Sequence, residues 1–246
     1  MKKVLIIGDS CLDKFVYCHI SRICPEAPVP VLNPLYVKQN DGMAGNVFAN
    51  LSSLGVSCEI LTNNEMIVKT RFVDNRSGQM VMRVDENDKS NKIDFFLLEN
   101  VDWSNYDAIV ISDYCKGFLT EYDIEYVSIK HPLTFLDTKK KLGNWAKNIK
   151  FIKINEFEHQ KNYEQIQTNS YFNKKLIITK GKDGCEYDGS IFSVPMVSVK
   201  DVSGAGDTFL AGLVKEYLDS GNIVKSIQFA NDCSTKVVQK AGVAII

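Results

Sequence analysis

The sequence predicts an α/β fold, a mainly parallel sheet flanked by helices, with a small β excursion in the first third of the chain. Three observations carry this. From Ala108 onward the short apolar runs "AIVIS", "TFLD", "FIKI" and "LIIT" alternate with helical segments, the pattern of βαβ units whose strands are buried on both faces. Before that point most strands follow one another directly, with one helix, in "DGMAGNVFANLSSLGV", among them. The length of 246 residues, with 45% hydrophobic and 24% charged side chains, suits one sizeable core. No repeat, low-complexity tract or linker interrupts the chain, so a single domain over 1–246 is expected.

The elements follow in order. "MKKVLIIGDS" reads as a first buried strand, Val4 to Ile7, ending in a Gly-Asp turn; four apolar residues are too few for a signal peptide or a membrane span, and a cytoplasmic protein is expected. Ser21 to Pro30 carries three prolines, which excludes helix and leads into an edge strand near Val31 to Val37. "DGMAGNVFANLSSLGV" reads as a glycine turn feeding a helix, with Val47, Leu51 and Leu54 on one face and Gly55 as its stop. Strands are expected at Cys58 to Leu61, Val68 to Val73 and Gln79 to Val84, the last two around the hairpin loop "DNRSG". After "AIVIS" come a helix within Thr120 to Lys130, the "TFLD" strand, a short helix, the "FIKI" strand, another helix and the "LIIT" strand. Asp188-Gly189 marks a hairpin, and helices over Gly206 to Leu218 and about Val224 to Gln239 close the pattern.

Composition excludes several classes. A formal net charge of -1 gives no footing for a nucleic-acid partner or a basic membrane surface, so a charged substrate must be met locally. Seven scattered cysteines with no C-x-x-C pair, and three histidines apart from them, read as reduced structural thiols and form no zinc pattern. There is no G-x-x-x-x-G-K-[ST] loop, and "IIGDSCLD" lacks the dinucleotide fingerprint.

The stretch "DVSGAGDTFLAGL" carries the chemistry. Phe209, Leu210, Leu213, Val214, Tyr217 and Leu218 recur at helical spacing, which buries one face and fixes the helix N-terminus in place. Gly204 and Gly206 allow close backbone approach, and the helix dipole favours an anion there. Asp207 beside that turn suits phosphoryl transfer, taking the acceptor's proton while backbone N–H groups hold the transferring charge. The alternative is a plain helix cap.

"DVSGAGDTF" resembles the C-terminal signature of the ribokinase-like (PfkB) carbohydrate kinases. "IIGDSCLDKFVYCHISRICPEAPVPVL", "DGMAGNVFANLSSLGV", "RFVDNRSGQMVMRVDE" and "IVISDYCKGFLT" are similar to the kinase domains of bifunctional heptose 7-phosphate kinase/adenylyltransferases, "SRICPEAPVP" being the most specific run. The resemblance implies a ribokinase-like fold with a β-lid at approximately 14–40 and 67–85. It also implies ATP and Mg²⁺ as cofactors, and phosphorylation of D-glycero-D-manno-heptose 7-phosphate at its anomeric C1 oxygen.

Carried over by position, Asp207 would be the base and Gly204-Ala205-Gly206 the anion hole. Asn155 and Glu158 of "NEFE" would hold Mg²⁺ and its water, as oxygen ligands suit that ion; in other settings they are a helix cap and an exposed helix acid. Thr179, Gly181 and Gly184 of "TKGKDG" would lie along the nucleotide, and Asn231 beside the adenine; a strand-end turn and an exposed helical asparagine look the same. Asp13, Gly42 and Asn46 would meet the sugar, with Asp9 fixing a turn. Arg83 and Lys116 would contact phosphate or hydroxyls, unless they are ordinary surface cations. Arg22 and Glu26 would pair in the lid or reach the sugar.

Two features depart from the family pattern. Gly42-Met43 stands where two adjacent glycines are usual, and only "NNEMI" separates the strand ending at Leu61 from that beginning at Val68, where relatives insert a G-x-D-x-x-G segment, a helix and a strand. The alternatives are a kinase of another sugar or nucleoside, or a nucleotide-binding relative with weak turnover. A homodimer through the β-lid is expected, because strands outside the main sheet need their apolar face and edges covered.

Overall fold

Val4 and Ile6 of the first strand, β1 (Lys3–Gly8), join one apolar core and Leu5 and Ile7 another, all four buried. That alternation organises the molecule, because a strand with both faces apolar must lie inside a sheet covered on both sides. The computed structural model describes residues 2–240 and 242–246. After β1 come β2 (Ser10–His19), β3 (Asn33–Met43), α1 (Ala44–Ser53), β4 (Ser57–Thr62), β5 (Val68–Asp74), β6 (Met80–Glu86) and α2 (Phe95–Glu99). Then follow β7 (Ala108–Asp113), α3 (Glu121–Lys130), β8 (Thr134–Thr138), β9 (Phe151–Asn155), α4 (Glu156–Lys161) and α5 (Tyr163–Thr168). The last elements are β10 (Leu176–Thr179), β11 (Cys185–Tyr187), β12 (Ser190–Phe192), α6 (Ala205–Ser220) and α7 (Ile223–Val237).

The main sheet has eight strands in the order β12-β11-β10-β9-β8-β7-β1-β4, parallel from β10 to β4, with β11 and β12 an antiparallel hairpin at one edge. Helices α1, α6 and α7 supply Val47, Leu51, Leu210, Leu213 and Ile227 to one core; α3 supplies Ile124 and Val127 to the other. The expected mainly parallel sheet flanked by helices is therefore present. A second sheet has the order β3-β2-β5-β6. Its rungs sort side chains by face. Val37, Val16, Phe72 and Met82 line up across all four strands on one face. Asn40, Asp13, Lys69 and Asp85 form a rung on the other, followed by Lys38, Phe15, Arg71 and Arg83.

Several elements differ from the sequence expectation: the single helix expected between "FIKI" and "LIIT" is two, α4 and α5, and the turn expected at "DGM" is the end of β3. The segment 10–19, not picked out as a strand, is β2, the central partner of the small sheet, because its Gly-Asp turn bends the chain without ending the extended run. The short helix expected after "TFLD" is a single 3-10 turn, Asn144–Ala146, which buries Trp145 and Ala146. The helix α2, not expected, is capped by Asp94, whose side chain accepts from the Phe96 N–H, and it buries Leu98. Leu54 closes α1 half-buried, with Gly55 following at φ +78°, so the stop is where the glycine placed it.

Candidate active site

Gly204 precedes α6 in the left-handed region, φ 78°, where a side chain is strained; a Cβ there would also come within 2.6 Å of Asn46 Nδ2. Ala205 and Gly206 open the helix; the Ala205 N–H donates to the Val202 carbonyl at 3.2 Å, and the first-turn N–H groups after it, which lack partners within a helix, are the donors this end offers to an anion. Asp207 follows at 4% exposure. Its carboxylate does not cap its own helix: Oδ1 accepts from the Tyr114 hydroxyl at 2.6 Å and Oδ2 from Asn46 Nδ2 at 3.0 Å. Burial pushes the Asp207 carboxyl up to about 6, against the two donors, with Asp137 adding to the rise and Lys153 opposing it.

These partners are themselves held. Asn46 and Asn50 lie one turn apart on α1, and Asn50 Nδ2 donates to Asn46 Oδ1 at 2.9 Å, which turns the Asn46 amide donor toward Asp207. Tyr114 sits on the loop after β7, and Asp9 ties that loop down, accepting from the N–H groups of Tyr114 at 2.8 Å, Lys116 at 3.2 Å and Phe118 at 3.4 Å. Asp9 is thus a loop organiser. Its carboxyl is raised by burial although these N–H groups oppose the rise. Under the glycine turn, Lys153 on β9 and Asp137 on β8 form a buried pair at 2.7 Å, and a Cβ on Gly206 would meet Lys153 Nζ at 2.9 Å. Neither Tyr114 nor Lys153 was singled out from sequence; "SDYCKG" had drawn attention only to its lysine.

Asn155 and Glu158 form a capping box on α4: Asn155 Oδ1 accepts from the Glu158 N–H and Glu158 Oε2 from the Asn155 N–H, each at 2.8 Å. Glu158 is buried, not an exposed helix acid, and its other oxygen pairs with Lys139. Among the described residues no three acidic, histidine or cysteine side chains cluster as a metal cage. The candidate oxygens are those of the Glu158 carboxylate, which an ion would share with Lys139, and Asp137 Oδ1, which is buried without a hydrogen-bond partner and lies 3.9 Å from Lys139 Nζ. That set fits Mg²⁺, which keeps most of its shell as water and phosphate oxygen.

Thr179 ends β10, and Gly181 and Gly184 bracket a 3-10 turn, the latter packed so closely on the Phe192 carbonyl that no Cβ fits. Asn231 on α7 is buried and donates to the same carbonyl at 2.9 Å, so it ties α7 to the β12 end. On the small sheet Asp13 is buried and paired with Arg71, and Gly42 lies so close to Asp13 and Cys11 that a Cβ would collide with both. Arg83 is half exposed and bound to Asp85; Lys116 is mostly buried and bound to Asp88. Arg22 and Glu26 are exposed and are not ion-paired to each other. Cys11 lies between the two halves of the site: burial pushes its thiol up to about 12, with Asp13 and Asp207 adding and Lys69 and Arg71 opposing.

Known proteins resemble this chain in family and in fold. The pattern of the pfkB family carbohydrate kinases matches residues 39–246. The chain is similar to the bifunctional protein HldE of Helicobacter pylori, 29% identical over 301 aligned positions that take in 100% of this chain and 64% of that protein. Similarity to bifunctional protein HldE of Bradyrhizobium diazoefficiens is 28%, covering 100% of this chain and 61% of that one. The chain therefore spans less than two thirds of the length of these relatives. The first alignment runs 55 positions beyond the chain's 246 residues, so the relative carries residues this chain lacks. Ribokinase from Thermotoga maritima superposes with a TM-score of 0.71 at 12% identity, covering 99% of this chain and 95% of that one. Arabidopsis thaliana ribokinase, solved with ribose and ATP, gives 0.68 at 16%, covering 98% and 94%. The ribokinase-like fold is thus shared, and the match over residues 39–246 means that the chain belongs to the pfkB family of carbohydrate kinases.

Proposed function

We propose that the protein transfers the γ-phosphoryl group of ATP to the anomeric C1 oxygen of D-glycero-D-manno-heptose 7-phosphate, with Asp207 as general base. The observation that carries this is the buried Asp207 carboxylate, poised near neutrality beside the Gly204-Ala205-Gly206 helix start. In the reaction Asp207 accepts the C1 hydroxyl proton as that oxygen attacks the γ-phosphorus and ADP leaves. The first-turn N–H groups of α6 hold the charge that spreads over the transferring phosphoryl oxygens. Glu158, Asn155 and Asp137 would hold Mg²⁺ and its waters, and the ion would supply charge neutralisation on the nucleotide phosphates. Thr179, Gly181, Gly184 and Asn231 line the proposed nucleotide side, and Asp13, Gly42, Asn46, Arg83 and Lys116 the acceptor side.

The acceptor assignment is supported by the "SRICPEAPVP" run and by cations on the inner face of the small sheet, which we read as a lid. Its outer face leaves Leu35, Val37, Met82 and Val84 between 39% and 56% exposed, and a second copy of the chain is the proposed cover, giving a homodimer. ADP release with a panel of sugars and sugar phosphates tests the reading. Turnover of an unphosphorylated sugar with none of heptose 7-phosphate would overturn the acceptor. The short "NNEMI" connection favours a second reading, a nucleotide-binding relative without turnover, which predicts no acceptor-dependent ADP release at all.

A further inference from the structure

The small sheet and the loop after β7 converge on one carboxylate. Lys69 has only 9% of its side chain exposed, yet its Nζ donates to Asp85 at 3.1 Å and Asp88 at 2.8 Å. Lys116 reaches the second oxygen of Asp88 at 2.6 Å from the opposite side. Arg83 binds Asp85, the other acid that Lys69 holds, through two hydrogen bonds, 2.7 and 2.6 Å. Asp88 itself sits after β6 on a loop whose preceding residue, Asn87, has φ 51°, and it borders an open cleft of about 670 Å³ lined also by Glu65, Met66 and Lys89. Holding a nearly buried lysine against surface-loop acids is a weak source of stability, because the lysine's desolvation offsets much of the attraction. The arrangement does preform a cationic seat: Lys69 stands in one rung with Asp13 on the inner face, so the seat flanks the acceptor space proposed above.

We propose that Lys69, Arg83 and Lys116 bind a phosphate monoester carried by the acceptor, and that Asp88 occupies this seat while it is empty, swinging into the cleft when the phosphate arrives. This rests on the sugar-phosphate reading above. Charge makes the exchange selective. Three cations face two carboxylates, an excess of one positive charge. With Asp88 displaced, a phosphate dianion and Asp85 neutralise all three cations, whereas an uncharged sugar offers nothing to replace the carboxylate. Lys69 is then a specificity residue, and Asp88 an internal competitor that raises the KM of the phosphorylated acceptor.

The test is calorimetric titration of the full chain with inorganic phosphate, together with KM for heptose 7-phosphate and, as internal control, KM for ATP. Asp88→Asn should bind inorganic phosphate about tenfold more tightly and lower the acceptor KM by a similar factor, the equivalent of one charge-assisted hydrogen bond released from competition. Lys69→Met should raise the acceptor KM by on the order of 10² and abolish phosphate binding. The double variant Lys69→Met/Asp88→Asn removes Lys69 together with one of its two acidic partners while Asp85 keeps Arg83, so its melting temperature should stay near that of wild type, and it should still fail to bind phosphate. Weaker phosphate binding in Asp88→Asn, or wild-type binding in the double variant, overturns the proposal. If no sugar phosphate supports ADP release but the titrations behave as stated, the acceptor reading fails and the seat stands. If heptose 7-phosphate turns over with the same KM in Asp88→Asn as in wild type, the seat fails and the acceptor reading stands.

Discussion

Asp207 works as a base only when ionised, and burial places that ionisation at about 6. kcat/KM should therefore be near its plateau above pH 7 and fall as the pH drops through 6, checked by a pH–rate profile at saturating Mg²⁺. Tyr114 stabilises the ionised form by donating to it, so Tyr114→Phe should shift the acid limb to higher pH; an unmoved limb would mean the tyrosine only fills space. Asp207→Asn should lower turnover by roughly 10² to 10⁴ while ATP still binds. Its stability has a definite sign. The folded pKa lies above the ordinary carboxylate value, so folding disfavours the ionised form, and the charge subtracts from stability as the pH rises toward and past 6. At pH 8 the asparagine variant should melt no lower than wild type by calorimetry. A large drop in Tm would show a structural role.

At the scale of elements, the two positive-φ positions that open helices around the site differ in kind. Gly204 opens α6 with a backbone that suits glycine, and Gly204→Ala should destabilise by on the order of 1–3 kcal/mol and push the Asn46 amide off Asp207, lowering both Tm and turnover. Met43, at the junction of β3 and α1, holds φ 58° and ψ -130° although it is not glycine, and its buried side chain packs with Cys11, Ile67 and Tyr114. Both Met43→Ala and Met43→Gly remove that packing, but only glycine relieves the backbone. The glycine variant should be the more stable of the two by about 1 kcal/mol in denaturant titration. This junction also marks where sequence reading stops. The βαβ alternation and the helix behind "SGAGD" are legible because one face of each is apolar at a regular period. β2 was not, because the Gly8-Asp9 turn ahead of it reads as the end of a strand and not as a bend between two. Tyr114, Lys69 and Lys153 were not, because loops and sheet register bring them to Asp207 and Asp88, and no local spacing records that.

For the molecule as a whole, the small sheet turns a charged face inward and an apolar face outward. A homodimer at micromolar concentration is expected by light scattering, and Val37→Lys, placed in the row that crosses all four strands, should shift it to monomer with its melting temperature close to that of the wild-type subunit. A wild-type monomer would count against the dimer.

The same sheet has an unusual place in time. Its strands β2, β3, β5 and β6 lie within residues 10–86, so all four leave the ribosome before most of the main sheet exists. Yet its inner apolar patch, Phe15, Tyr17 and Val73, is completed by Val243, which also packs beside Gly204. Aromatic side chains made early thus wait, uncovered, for a residue made very late, and the segment that covers them also steadies the turn ahead of Asp207. During synthesis this patch is therefore open to misassembly until Val243 is in place, and catalytic competence should follow its docking.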